Sequence, residues 1–159
     1  MRSKAWTIHH MPKAKLQAAT VGGSADAIEA QFYDAMQTGD IEKLMACWAD
    51  EDDVVCVHPG GPRLVGAAAI RAAFEAMFAN GTIKARPEGM CKVESLTSAM
   101  HNVIERIHIQ TVEGQHEALV VATNVYQRTP QGWRMVAHHA SPGTSASLVE
   151  TDDTPTFLH

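Results

Sequence analysis

The order of hydrophobic periods along the chain predicts an α+β fold, with three N-terminal helices packed on a mainly antiparallel sheet. Two observations carry this. Apolar residues recur at helical spacing in three segments before residue 80, and from Thr82 to Ser141 the pattern changes to runs rich in Val, Ile and Thr separated by turn residues. A length of 159 residues with 45% hydrophobic content suits one core.

The helices have legible ends. Ser24 is a predicted N-cap, followed by Ile28, Phe32, Ala35 and Met36 on one face, and Gly39 stops the helix because glycine accepts the left-handed C-cap conformation. Asp40 caps a second, shorter helix with Ile41, Leu44, Met45 and Trp48 on its apolar face. Asp53 to His58 forms a short strand that Pro59-Gly60-Gly61-Pro62 turns, and a third helix runs from about Ala67 to Ala79, ended by Asn80-Gly81. Five strand runs follow, near 82–86, 89–98, 100–111, 116–127 and 132–141, the last entered through Thr129-Pro130-Gln131-Gly132. Residues 1–23 show no sustained period and are expected to form a flexible arm, despite the adjacent His9 and His10; 144–159 is expected to be a loosely ordered tail.

A formal net charge of −5 and a pI near 5.9 leave no basic excess, so nucleic acid and anionic membrane surfaces are not expected partners. No apolar run approaches the roughly 20 residues needed to span a bilayer. No continuous apolar stretch follows Arg2 and Lys4, so a signal peptide is not predicted and the expected location is cytoplasmic. Cys47, Cys56 and Cys91 are an odd set without a CxxC, each inside an apolar pattern, which favours buried free thiols. No phosphate-binding glycine loop, HExxH or nucleophile elbow occurs, and neither a cofactor nor a metal is expected.

A strongly curved sheet around a few helices would leave a cone, and cones of this kind enclose pockets. The strands carry apolar residues on both phases, so the face away from the helices is expected to be covered by a homodimer contact.

Candidate pocket residues follow from strand alternation. His138 and His139 point to opposite faces. His139 is expected inward because it shares its phase with Trp133, Met135 and Ala137; it is either a base poised by burial or a hydrogen-bonded structural residue. Glu105, in phase with Val103, Ile107 and Ile109, is either a pocket acid or an outward carboxylate at the dimer contact. His58 ends the first strand as a second acid/base candidate or a turn cap. Asn124 and Tyr126 share a phase, and whether they face His139 depends on hairpin register. From the helices, Trp48 supplies an apolar wall or core residue and Tyr33 a hydroxyl donor.

Phe32-Tyr33-Asp34-Ala35, the Gly39-Asp40 break, Trp48, Val57-His58-Pro59, Gly66 before a helix, and Gly132-Trp133 through His139-Ala140-Ser141 come in a familiar order. Over residues 24–143 the chain resembles the nuclear transport factor 2 (NTF2)-like superfamily, particularly its SnoaL-like, ketosteroid isomerase-like branch. The resemblance implies a cone-shaped roll, usually dimeric, with a pocket between sheet and helices. It also points to His139, because SnoaL-like chains often carry His-x-Ser at this strand end. The superfamily includes ketosteroid isomerases, polyketide cyclases and dehydratases, and also non-catalytic association and transport modules. No strand-borne aspartate and tyrosine here match the isomerase set, and of the histidine and aspartate used by dehydratases and cyclases only the histidine has a candidate. The expected function is binding of a small, mainly apolar or aromatic molecule. It is accompanied either by histidine-assisted proton transfer of isomerase, cyclase or dehydratase type, or by no catalysis at all in a dimerisation or ligand-sensing module.

Overall fold

A computed structural model describes residues 23–144, so the expected arm and tail lie, but for Gly23 and Thr144, outside the described residues. Three helices, α1 (Ala25–Thr38), α2 (Ile41–Met45) and α3 (Ala67–Ala79), accompany six strands: β1 (Val55–Val57), β2 (Arg63–Val65), β3 (Lys84–Glu94), β4 (Ser98–Thr111), β5 (Gly114–Thr129) and β6 (Gly132–Pro142). The strands form one sheet in the order β2-β1-β6-β5-β4-β3, antiparallel except where β1 runs parallel to β6. The α+β architecture is therefore as expected. No helix among the described residues is long and apolar enough to cross a membrane.

Local chemistry sets the helix ends. Ser24 accepts from the Ala27 N–H, and Gly39, at φ 68°, closes α1 by donating to the Ala35 carbonyl. Asp40 then accepts from the Lys43 N–H and starts α2. The buried face of α1 is Ala25, Ile28, Glu29, Phe32, Tyr33, Ala35 and Met36, a helical stripe that contains a carboxylate. Phe32 is the centre of the core. Its ring meets Tyr33, Trp48 and Phe74 edge-on at 5.2, 6.5 and 6.0 Å and His138 at 5.2 Å.

Two bulges separate the observed sheet from simple alternation. The runs expected at 82–86 and 89–98 are one strand, β3, whose register against β4 shifts between Glu88 and Cys91, with Gly89 at φ 58° inside the irregularity. Cys91 is exposed, in contrast to the buried thiol expected, whereas Cys47 and Cys56 are buried and free.

The second bulge is in β6. Val125 pairs with Ala137 and Tyr126 with Met135, which leaves Val136 as an extra residue. Its cause lies on the other edge of the strand. Met135 is held from both sides by the 47–49 segment, donating to the Cys47 carbonyl at 2.7 Å and accepting from the Ala49 N–H at 2.9 Å. The parallel partner β1 takes over only at Ala137. Two different segments thus share one edge, and the bulge absorbs the offset between them.

Its consequence is a phase flip. Met135, His138 and Ala140 are buried, while His139 is exposed. The expectation that His139 points inward with Met135 is corrected: alternation holds on each side of Val136 but not across it. Replacing His138 with Ala should lower unfolding free energy by about 1–3 kcal/mol, because its buried partner Asn124 loses a hydrogen bond. Replacing His139 with Ala should change it by less than about 0.5 kcal/mol. Urea unfolding of the two variants measures the difference.

Candidate functional site

The inner face of the sheet beneath α1 carries a continuous polar network. On β4, Ala99, His101, Val103 and Glu105 alternate inward, and each is at most 4% exposed. On β5 the inward set is Val120, Ala122, Asn124 and Tyr126, and the β5–β6 register places Asn124 opposite His138. The uncertain hairpin register is therefore resolved: Asn124 faces inward with His138, while Thr123 lies opposite His139. From above, one helical turn of α1 supplies Glu29 and Tyr33.

Hydrogen bonds join these residues in a definite direction. The Tyr33 hydroxyl donates to Glu105 Oε2 at 2.7 Å and accepts from Asn124 Nδ2 at 3.0 Å. Asn124 Oδ1, an acceptor only, faces His138 Nδ1 at 2.6 Å, so His138 donates through Nδ1 and keeps the lone pair on Nε2. Glu29 Oε2 accepts from Tyr126 at 2.6 Å, from His101 Nδ1 at 2.9 Å and from Asn124 Nδ2 at 3.4 Å. Glu29 Oε1 and the Trp48 indole Nε1 are buried without a hydrogen-bond partner among the described residues.

Burial sets the protonation of the group. Glu105 is pushed up to about 7, chiefly by loss of hydration; the Tyr33 hydrogen bond opposes the shift and the Glu29 charge adds to it. Burial holds Tyr33 well above its ordinary 10, so it remains a phenol. His138 is pushed down to about 3, first by burial and then by the neighbouring His58 and His139 rings, so it is neutral near physiological pH. His58 is half-buried just beyond β1, its ring edge-on to Phe74 at 4.9 Å and 6.2 Å from the His138 ring, and burial lowers its pKa too. Cys56 Sγ lies 3.7 Å from His58 Nε2, but burial pushes that thiol up to about 12, which disfavours a nucleophilic thiolate.

Of the expected site residues, Glu105, Asn124, Tyr33 and Tyr126 come together in this network. Trp48 packs beside it on Phe32, and His58 stands at its half-buried edge. His139 does not join them, and its place is taken by His138. Glu29 and His101 were missed, although both left a signal. Glu29 stands one turn before Tyr33 on the buried stripe of α1, and His101 shares the phase of Val103 and Glu105.

The two buried groups with shifted pKa values act oppositely on stability. Folded Glu105 keeps its proton to higher pH than the unfolded carboxyl, so between about 4.5 and 7 the folded chain binds more protons and stability falls as pH rises. For His138 the unfolded chain binds more protons between about 3 and 6.5, so stability falls as pH drops. Subtracting the unfolding free energy of the Glu105→Gln variant from that of the wild type isolates the first effect. The difference should fall with pH across 4.5–7, with a slope approaching about 1.4 kcal/mol per pH unit. Denaturant titrations at successive pH values measure it.

Residues 26–145 match the family model described as a SnoaL-like domain. A comparison with curated proteins found no match. Among solved structures, a Thiobacillus denitrificans protein assigned provisionally as a calcium/calmodulin-dependent protein kinase type II association domain is 34% identical at a TM-score of 0.70, over 78% of this chain and 98% of the other. A Streptomyces avermitilis protein assigned provisionally as a dehydratase of the NTF2-like family is 28% identical at a TM-score of 0.66, over 85% of this chain and 100% of the other. A Novosphingobium aromaticivorans NTF2-like protein with a cystatin-like fold shares the fold at 19% identity and a TM-score of 0.65, over 86% and 92% of the two chains. With the family model matched over most of the chain, on a sheet and helices arranged as in these NTF2-like structures, the protein belongs to the SnoaL-like domain family.

Proposed function

We propose that the chain binds a small, mainly apolar carbonyl compound against the Glu105–Tyr33–Asn124–His138 network and catalyses proton transfer on it, as an isomerase or lyase would. The observation that carries this is a buried carboxyl whose pKa lies near 7, hydrogen-bonded to a phenol and linked through an amide to a neutral imidazole. A general acid–base group works best when its pKa lies near the operating pH. Glu105 meets that condition and His138 does not.

The roles divide accordingly. Glu105 takes the proton from the carbon beside the carbonyl and returns it to the same or a neighbouring carbon, so no net charge or redox change results. Tyr33, as a phenol, positions the carboxyl. Asn124 fixes the His138 tautomer, and the free Nε2 lone pair of His138 accepts a hydrogen bond from a substrate hydroxyl or enol. His58, Phe74 and Phe78 supply the apolar approach, and the unpartnered Trp48 indole N–H offers a donor to a ligand oxygen. A dehydratase assignment in a 28% identical neighbour agrees with chemistry of this class.

The test is exchange of the α-protons of simple cyclic ketones with D2O, followed by NMR. Wild type should accelerate exchange with a pH midpoint near 7, and Glu105→Gln should lose about 10²–10⁴-fold of that rate. Equal rates in the variant and the wild type would sink the acid–base role.

A second reading, an association module without catalysis, has its own support in the 34% identical neighbour assigned as an association domain. The outer sheet face presents Val93, Met100, Val125, Ala137 and Val55 in one cross-strand row, with Val93 67% exposed. Such a row fits a homodimer contact through that face. Sedimentation should give a dimer for wild type and a monomer for Val125→Lys; a wild-type monomer at high concentration would contradict the contact.

A further inference from the structure

At the far side of Glu29 from His138, three side chains converge that the acid–base reading does not use. His101 on β4 directs Nε2 towards Glu94 Oε1 at 3.4 Å and Asp26 Oδ1 at 3.8 Å. Donor atoms of Asp26, Glu94 and His101 all lie within 4.8 Å of one another. Asp26 sits in the first turn of α1 and Glu94 at the end of β3. Together with Ser24, Ala25, Ser95, Ala99 and Trp133, these carboxylates line an open cleft.

The imidazole requires an explanation. His101 is fully buried, and its Nδ1 faces the carboxylate Glu29 Oε2, which can only accept. The ring proton of neutral His101 is therefore on Nδ1. Its Nε2 then carries a lone pair aimed at two carboxylates that also only accept, so that nitrogen has no donor among them. Two arrangements satisfy these atoms: a second ring proton on Nε2 that donates to Glu94 Oε1, or a cation in its place; the Lys92 ammonium already neutralises Asp26.

We infer that Asp26, Glu94 and His101 form a binding site for a divalent transition-metal ion of the zinc class, with Glu29 as the outer carboxylate that orients the imidazole. One nitrogen and two carboxylate oxygens suit such an ion. Ligands at about 2.0–2.2 Å in a tetrahedron stand roughly 3.3–3.6 Å apart, close to the Nε2–Glu94 and Nε2–Asp26 separations. Asp26 and Glu94 side chains are 60% and 52% exposed, so both can make the remaining adjustment. Carboxylate–histidine–metal triads use the same outer hydrogen bond that Glu29 supplies here. The cleft leaves the fourth position for water. Lys92 Nζ, 2.5 Å from Asp26 Oδ1, is the competing cation and has to swing aside. The site stands apart from the acid–base reading and does not depend on it.

Calorimetric titration of the full chain with Zn2+, after treatment with chelator, tests the assignment. Wild type should bind one equivalent at a micromolar Kd that Asp26→Asn and Glu94→Gln each weaken roughly tenfold or more. Lys92→Gln should tighten it, because the competing charge is gone. Both carboxylate positions are on the surface, so these variants keep the fold. Zn2+ should also raise the Tm of wild type and leave that of the Asp26→Asn/Glu94→Gln double variant unmoved. Zinc binding of equal strength in the double variant would place the metal on other histidines. No binding at all would mean that a proton alone satisfies Nε2. Either result overturns the site.

Discussion

Asn124 is the residue on which the interior depends. One amide donates to the Tyr33 hydroxyl and to Glu29 while accepting from His138, so a single side chain ties β5 to α1 and β6. Because it is fully buried, its removal would leave the His138 Nδ1–H without that partner, at a cost of about 1–3 kcal/mol, and would take one bond each from Tyr33 and Glu29. An interior built this way is specific as well as stable. A helix that slid by one turn over the sheet would move Glu29 and Tyr33 off their partners together, and a slip of β6 that brought Ala137 opposite Asn124 would leave the amide facing a methyl group.

The same enclosure shifts the protonation of Glu105. Glu29 and Glu105 are both almost fully buried, and no buried lysine or arginine pairs with either among the described residues. Arg134, the one buried lysine or arginine among the described residues, bonds the Trp133 carbonyl instead. Glu29 is surrounded by three donors. Among the described residues Glu105 has only the Tyr33 hydroxyl, so desolvation dominates it and its proton is held to near neutral pH. Two carboxyls of the same network thus have different hydrogen-bond environments.

Much of the fold was legible because its signals are local. Ser24, Gly39 and Asp40 mark helix ends through hydrogen bonds to residues within a turn, and α3 spans the expected 67–79 because nothing but its own period was needed to see it. The shared phase of Asn124 and Tyr126 and the apolar row around Glu105 could be read within each strand, but the face they take depends on pairing between strands, which alternation alone leaves open. The histidine was assigned the wrong face. Its direction is set by the bulge at Val136, and the bulge is set by the 47–49 segment pairing with Met135 from almost ninety residues away in the chain. Glu29 was overlooked because a carboxylate on an apolar stripe reads as an interruption of the stripe, whereas here it is the member that binds Tyr126, Asn124 and His101.

Direct titration of the Glu105 carboxyl tests the central claim, that this buried network holds an acid ready to exchange its proton near neutral pH. In protein carrying 13C-labelled glutamate, the carbonyl resonance that disappears in the Glu105→Gln variant is the one to follow. A midpoint near 7 is the expected result. A midpoint near the ordinary 4.5 of a solvated glutamate would mean that the carboxyl is hydrated or paired, and would contradict the account.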